Sequence, residues 1–275
     1  MPEPKPLPDL AHVRLLAVDI DGTLMHEDGT ISPAVRSAVL RAAAAGHEVM
    51  LATGRSVDAT LPVAAALGIR PDYLVCSNGA ITLKRDSLSP TGYVREFVET
   101  FDAGPVLERI RGYLGDAHFA VEDASGHYRY TEQVSDTTFG TASTQVPFEE
   151  LTTQPATRVV VVSPDHDLEE FFGIVERMGL SQVSYAIGWS AWLDIAPDGV
   201  TKATALERVR VLLDIPRTRV AVVGDGRNDL AMLEWAGESG RAAAMGQAPP
   251  EVHAAASEII GSVEWDGLVA FLDSL

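Results

Sequence analysis

The sequence predicts an α/β fold, a doubly wound parallel sheet interrupted by an inserted α+β domain. Three observations carry that prediction. Short apolar runs alternate with helix-period segments over 12–84 and again over 197–275. The intervening 85–196 change to hairpin-like strands. Both α/β stretches place aspartate and glycine directly after an apolar strand. The expected division is a flexible proline-rich arm over 1–11, a core built from 12–84 and 197–275, and an inserted domain over 85–196.

Arg14-Leu15-Leu16-Ala17-Val18 is short, apolar and bounded, as a buried strand of a parallel sheet should be. The turn signal Gly22-Thr23 follows it, so Asp19 and Asp21 fall at the carboxyl end of the strand, where open α/β sheets bind ligands. Ser32-Pro33 reads as an N-cap and a first helical residue, with Gly46 as the stop. HEVMLATGR is a second strand ending in Thr53-Gly54-Arg55, VDATLPVAAALGI a helix, and PDYLVCSNGAI a third strand.

Within the insertion, GYVREFVET reads as a strand and GPVLERIRGYLGD as a helix. AHFAVEDASGHYRY is a hairpin about Ser125-Gly126. RVVVVSP, the helix DLEEFFGIVERMG, and the strands SQVSYAIG and SAWLDIAP follow, with a polar, loop-rich stretch at TEQVSDTTFGTASTQVPFEE. The α/β pattern returns with the helix VTKATALERVRVLLDI and the strand TRVAVVGDG. The helix NDLAMLEWAG and the short strands SGRAAAMG and SEIIG complete it.

Composition narrows the function classes. The balance of 21 basic against 39 acidic residues, net −18, opposes non-specific nucleic-acid binding and favours cations. The insertion holds 7 of the basic and 18 of the acidic residues, which reads as a solvated acidic face and disfavours leaving groups bearing further phosphates. A single cysteine, Cys76, leaves no internal disulfide framework, fits a reducing cytoplasm and reads as a small buried hydrophobe. The arm MPEPKPLPDL lacks the apolar stretch of a signal peptide. No run approaches the ~20 apolar residues of a membrane span. A cytoplasmic protein with no membrane or nucleic-acid partner is expected.

Two carboxylates two residues apart repel unless a cation or a shared proton separates them. Asp19, Asp21, Asp225 and Asp229 together offer hard oxygen ligands suited to Mg²⁺, and the seven histidines show no zinc spacing. Thr53 and Lys202 at the same strand and helix ends imply that an anion also enters. Phosphate fits, because Mg²⁺, a lysine and hydroxyl or amide donors can share the charge on its oxygens.

DIDGTL, ATGR, GVTK and GDGRND, in that order, resemble the four motifs of the haloacid dehalogenase (HAD) superfamily. CSNGAI and LDIAPDGVTK add to the likeness. Nearly the whole chain beyond the arm is similar to the Cof-type branch, which implies a Rossmann-like core with a type IIB cap between the second and third motifs. The resemblance implies a phosphatase acting on a small phosphorylated metabolite, a sugar phosphate or a phosphorylated cofactor. Asp19 would be the nucleophile. Asp21 would be the acid and then the base, which asks for a raised pKa. Thr53 and Gly54 would hold phosphoryl oxygens, and Lys202 would neutralise charge. Asp19, the Asp21 carbonyl and Asp225 would hold Mg²⁺, and Asp229 the ion or its waters. Asn228 would bridge Asp225 to the phosphate, with Ile20, Gly22, Arg55 and Asn78 also lining the phosphate and substrate site. Arg55 pairs equally well with a carboxylate. Trp189 and Trp192 could stack on a substrate or pack the insertion.

Gln247 stands where the family usually has asparagine, and EWDGLV replaces a more polar approach to its Asp-Gly. Three other readings share parts of this constellation. A phospho-accepting receiver domain has the acidic cluster, threonine and lysine, but no counterpart of Asp21. A phosphosugar mutase shares fold and cap, and a non-catalytic binding protein would have no need of the full motif set.

Overall fold

A computed structural model describes residues 14–133, 142–188 and 190–275. The proline-rich arm, part of the polar stretch and Trp189 lie outside the described residues. The chain opens with β1 (Leu15–Val18), α1 (Pro33–Ala44), β2 (Glu48–Leu51), α2 (Val57–Leu67) and β3 (Tyr73–Cys76). Each helix starts where a serine side chain replaces a missing backbone partner. Ser32 accepts from the Val35 amide at the head of α1, and Ser56 from the Ala59 amide at the head of α2. β1 and β2 pair in parallel, and β3 joins them through the parallel bridge Ala52–Val75.

Next come β4 (Ile81–Arg85), antiparallel to β3, and β5 (Tyr93–Val98), antiparallel to β4. This corrects one expectation. The change of texture at Arg85 is the tip of a hairpin, and the strand Tyr93–Val98 extends the core sheet rather than opening the insertion. Tyr93 packs on the core cluster, which the hydrophilic look of TGYVRE concealed.

The inserted chain forms α3 (Gly104–Arg111), β6 (His118–Glu122), β7 (Tyr128–Tyr130), β8 (Ser143–Gln145) and α4 (Phe148–Leu151). β9 (Arg158–Val162), α5 (Leu168–Met178), β10 (Val183–Ile187) and β11 (Trp192–Pro197) follow. Its sheet runs β10-β11-β9-β6-β7-β8. The pairs are antiparallel except β7 with β8, a parallel contact that the expected hairpins did not include. One face, with Phe119, Val121, Val159, Val161, Leu193 and Ile195, packs on Leu107 and Ile110 of α3 and Phe171 and Val175 of α5. Phe171 is fully buried there, so its truncation to alanine would cost about 3–5 kcal/mol. The strands alternate, and their other face carries polar residues taken up below.

The return to the core brings α6 (Lys202–Leu212), β12 (Val220–Gly224), α7 (Leu230–Gly237), β13 (Arg241–Ala244), α8 (Pro250–Ala255), β14 (Glu258–Ile259) and α9 (Gly267–Asp273). The parallel sheet is ordered β14-β13-β12-β1-β2. Leu16, Val18, Val49, Leu51, Ala221 and Val223 face α1, α2 and α9. Leu15, Ala17, Met50, Val220 and Val222 face α6, α7 and α8. Helices therefore cover both faces, as double winding requires. The chain leaves β1 toward β2 and, on return, runs from β12 the other way. The switch point lies between β1 and β12, where such sheets open a ligand crevice.

Candidate active site

The switch point collects the carboxylates. Asp19 follows β1 and its amide donates to the Val223 carbonyl at 3.0 Å, so β12 fixes its height. Asp225 follows β12, and Asp229 ends the short turn 227–229. Lys202 is the first residue of α6, whose Thr201–Thr204 capping box sets the entry of the helix. At a helix start a lysine ordinarily faces solvent. Here its side chain is 0 % exposed, and Nζ donates to Asp19 Oδ1 at 2.6 Å and Asp229 Oδ1 at 2.7 Å. The other oxygen of Asp229 accepts the amides of Asp225 and Gly226, both at 3.0 Å. Asp229 thus anchors both the lysine and the loop bearing Asp225.

Burial dominates the ionisation of this cluster. It pushes the Asp19 carboxyl well above the ordinary range against the pull of Lys202, with Asp229, Asp225 and Asp21 adding to the rise. Burial and the Asp229 charge push Asp225 up to about 7, although a hydrogen bond from Thr23 lowers it. Burial alone would lower Lys202, but Asp19 and Asp229 raise it, so it stays charged.

One oxygen each from Asp19, Asp225 and Asp229 lies within 4.8 Å of the others, and all three residues are buried. Three buried carboxylates facing a single buried lysine are only partly compensated, and such an all-oxygen set fits a hard divalent cation. Asp19 and Asp225 are the better direct ligands, because Asp229 spends both oxygens on Lys202 and the loop. Gly22 makes this packing possible. Its φ is +75°, and a Cβ there would lie 2.2 Å from Asp225 Oδ2. Thr23 Oγ1 donates to Asp225 Oδ1 at 2.8 Å.

The remaining expected residues fall around this floor with different parts to play. Thr53 is buried at the end of β2, and its Oγ1 accepts the Arg55 amide at 3.1 Å. A Cβ on Gly54 would lie 3.1 Å from Asn78 Oδ1, and that oxygen accepts from Asn228 Nδ2 at 3.1 Å. Asn78 holds φ +52° inside the turn Ser77–Gly79. That turn packs against α6 so closely that a Cβ on Gly79 would lie 2.3 Å from the Thr201 carbonyl. Asp21 is exposed at the mouth and carries Arg55 on its carboxylate. Neither Ile20 nor Gly22 reaches the site through a side chain. The Ile20 side chain is buried in the core, and its carbonyl accepts the Thr23, Leu24 and Met25 amides. The Gly22 amide is donated to the Met25 carbonyl and its own carbonyl accepts Gln247 Nε2, leaving it a steric role.

Gln247 also accepts the Val263 amide at 3.0 Å, so this departure from the usual asparagine ties the Gly22 turn to the segment preceding α9. Cys76 is fully buried and its thiol is pushed up to about 12 by burial, as a packing residue.

Above the floor lies a cavity of about 370 Å³. Its lower wall includes Asp19, Asp21, Arg55 and Asp225, and its upper wall comes from the inserted sheet through Arg158, Trp192 and Asp194. Sequence reasoning passed over Arg158 and Asp194. The available signal was a single charge on the even-numbered face of otherwise apolar strands, RVVVV and WLDIA. A charge at such a position in a strand must find a partner or line a site.

Comparison with known proteins agrees with the geometry. A profile of the haloacid dehalogenase-like hydrolases matches residues 16–272. The pyridoxal phosphate phosphatase of Escherichia coli K12 is 30 % identical over 280 residues, covering 95 % of this chain and 98 % of its own. The 5-amino-6-(5-phospho-D-ribitylamino)uracil phosphatase of Bacillus subtilis 168 is 25 % identical, covering 94 % and 96 %. Among solved structures, a HAD subclass IIB sugar phosphatase superposes with a TM-score of 0.78 at 20 % identity, covering 95 % of this chain and 98 % of that one. The chain belongs to the haloacid dehalogenase-like hydrolase family.

Proposed function

We propose that this member of the family is a Mg²⁺-dependent phosphatase of small phosphate monoesters, working through an aspartyl-phosphate on Asp19. The observation that carries the reading is the buried Asp19 carboxylate on the cavity floor, hydrogen-bonded to a buried, charged lysine and beside two further buried carboxylates. Mg²⁺, held by Asp19 and Asp225 with Asp229 behind them, would supply positive charge to the phosphoryl oxygens and to the nucleophile.

Asp19 attacks phosphorus, the ester P–O bond breaks, and Asp21 gives its proton to the departing alkoxide. Water then loses a proton to Asp21 and attacks the same phosphorus. The acyl-phosphate bond breaks, releasing inorganic phosphate and the Asp19 carboxylate. Thr53, the Gly54 amide, Asn228 and Lys202 hold the phosphoryl oxygens in line through both steps. In this reading the inserted sheet is the cap over the reacting centre. It joins the core near Glu99–Phe101 and Pro197–Val200, where Gly199 has φ +71°. The cap excludes water and covers the leaving group.

The test is release of inorganic phosphate from a panel of phosphate monoesters, together with trapping of a phosphorylated enzyme. Phosphate release by the wild type and none by Asp19→Asn is expected. Isomerised sugar phosphate in place of inorganic phosphate would overturn hydrolysis in favour of a mutase.

A further inference from the structure

The face of the inserted sheet turned toward the core carries one connected polar stripe. Glu122 on β6 stands directly opposite Tyr128 on β7 and Arg158 on β9 in the strand register. Tyr128 hydrogen-bonds Glu122 and accepts from Arg158 Nη1 at 3.1 Å. Arg158 Nε donates to Asp194 Oδ1 at 2.6 Å, and Trp192 Nε1 donates to Asp194 Oδ2 at 3.1 Å. At its far end the stripe reaches the core, where Ser77, next to Asn78 of the phosphate site, donates to Glu122 Oε2 at 2.7 Å. The side chains of Glu122, Tyr128 and Arg158 are more than nine-tenths buried, so the stripe is a fixed structure and not a solvated face.

Arg158, Trp192 and Asp194 line the cavity above Asp19. What they offer a ligand is specific. Asp194 keeps lone pairs that can accept hydroxyl donors, and Arg158 keeps N–H groups beyond those already donated. With its N–H spent on Asp194, the Trp192 ring has only carbon surface to present. None of them offers an unpaired charge. Three cationic side chains occur among the described lining residues, and each is already bound to a carboxylate: Arg55 to Asp21, Arg158 to Asp194 and Arg227 to Glu251.

We propose that Arg158, Asp194 and Trp192 form the leaving-group subsite, and that it selects neutral, polyhydroxylated alcohols over alcohols carrying a second anionic group. The proposal rests on the phosphatase reading above. Hydroxyl pairs can bridge the fixed carboxylate and guanidinium, and apolar C–H surface can lie on the indole. A carboxylate or second phosphate would meet Asp194 with no cation left to receive it, and specificity would come from that repulsion. Glu122, Tyr128 and Ser77 act as positioning residues that hold Arg158 in place relative to the phosphate site.

The experiment uses two pairs of esters that differ only in a terminal CH2OH or carboxylate: sorbitol 6-phosphate with 6-phosphogluconate, and glycerol 3-phosphate with 3-phosphoglycerate. The wild type should favour the alditol ester of each pair in kcat/KM by about tenfold or more, the scale of one unpaired charge contact. Asp194→Asn leaves Arg158 without its counter-charge, so the ratio should move about tenfold or more toward the carboxylate ester. Trp192→Ala should lower kcat/KM for the alditol esters, and Trp192→Phe should restore most of it. This second pair of variants reads the subsite even if Asp194→Asn does not fold. A wild-type preference for the carboxylate esters, or ratios unmoved in the folded variants, would overturn the subsite while leaving the phosphatase reading intact. Failure of the wild type to hydrolyse even p-nitrophenyl phosphate would overturn both.

Discussion

Arg55 holds both carboxylate oxygens of Asp21, with Nε 2.8 Å from Oδ2 and Nη2 on Oδ1. The pair sits at the mouth of the cavity, and Asp21 is the more exposed partner. In the proposed reaction this pair orients Asp21 toward the leaving oxygen, and the same guanidinium meets the entering phosphate dianion. On this reading Arg55 both positions Asp21 and receives the phosphate. Removing it should hurt esters with poor leaving groups most. Arg55→Ala should lower kcat/KM on an alkyl phosphate by about 100-fold and on p-nitrophenyl phosphate by about tenfold or less, since the latter asks little of a general acid. Equal losses on both would show that Arg55 does not act through Asp21.

The two aspartates of the first motif should separate cleanly. Asp19→Asn removes the nucleophile and should abolish turnover on every ester, with Mg²⁺ binding weakened. Asp21→Asn keeps the backbone at that position and loses only the proton carrier. It should lower kcat on an alkyl phosphate by about 10²–10⁴-fold with little change in Mg²⁺ affinity measured by calorimetry. Near-normal rates in Asp21→Asn would remove the acid–base assignment.

Lys202 stands between two buried carboxylates, so its removal strands both. Lys202→Met should destabilise the fold by about 3–5 kcal/mol in urea unfolding and abolish turnover, because breaking a buried ionic cluster leaves uncompensated charge. Adding Asp229→Asn removes one of the stranded carboxylates. The double variant should recover part of the stability and none of the activity. A double variant no more stable than the single one would show that charge burial is not what Lys202 relieves.

These residues also show what was legible in the sequence. Asp19, Asp225 and Lys202 stand next to strand ends and a helix start that their neighbours dictate, so local pattern was enough to gather them. Gly22 was visible as a turn, but its steric part depends on Asp225, more than two hundred residues away. In the sequence the strand Tyr93–Val98 falls with the insertion, because hairpin texture does not reveal which sheet a hairpin joins; pairing with Ile81–Arg85 decides that. Arg158 and Asp194 were missed for a similar reason. Each is one charge in an apolar strand, and only the register of three neighbouring strands shows that they belong to a single stripe.

The same carboxylate floor makes stability, metal binding and pH interdependent. In the metal-free protein Asp225 is raised to about 7 from an ordinary 3.8, and Asp19 is raised as well. A group raised on folding binds its proton more tightly in the native state. The stabilisation is fully present below the unfolded value near 4 and is lost as pH climbs through the folded value near 7. The metal-free protein should therefore melt at a higher temperature at pH 5.5 than at pH 8. Mg²⁺ must displace the Asp225 proton, so its affinity should fall toward tenfold per pH unit below about 7. Saturating Mg²⁺ should then raise Tm at pH 8, by an amount on the order of 5 °C, and far less at pH 5.5. Asp225→Asn supplies the control, since it removes both the titrating group and a ligand; its Tm should respond little to Mg²⁺ and vary less between the two pH values. EDTA should abolish turnover at pH 8 and Mg²⁺ restore it, with Ca²⁺ a poor substitute because its longer, looser coordination would misplace the attacking oxygen. Calorimetric titrations and melting curves at the two pH values check the whole set. A Mg²⁺ affinity independent of pH across this window would show that Asp225 is not a ligand.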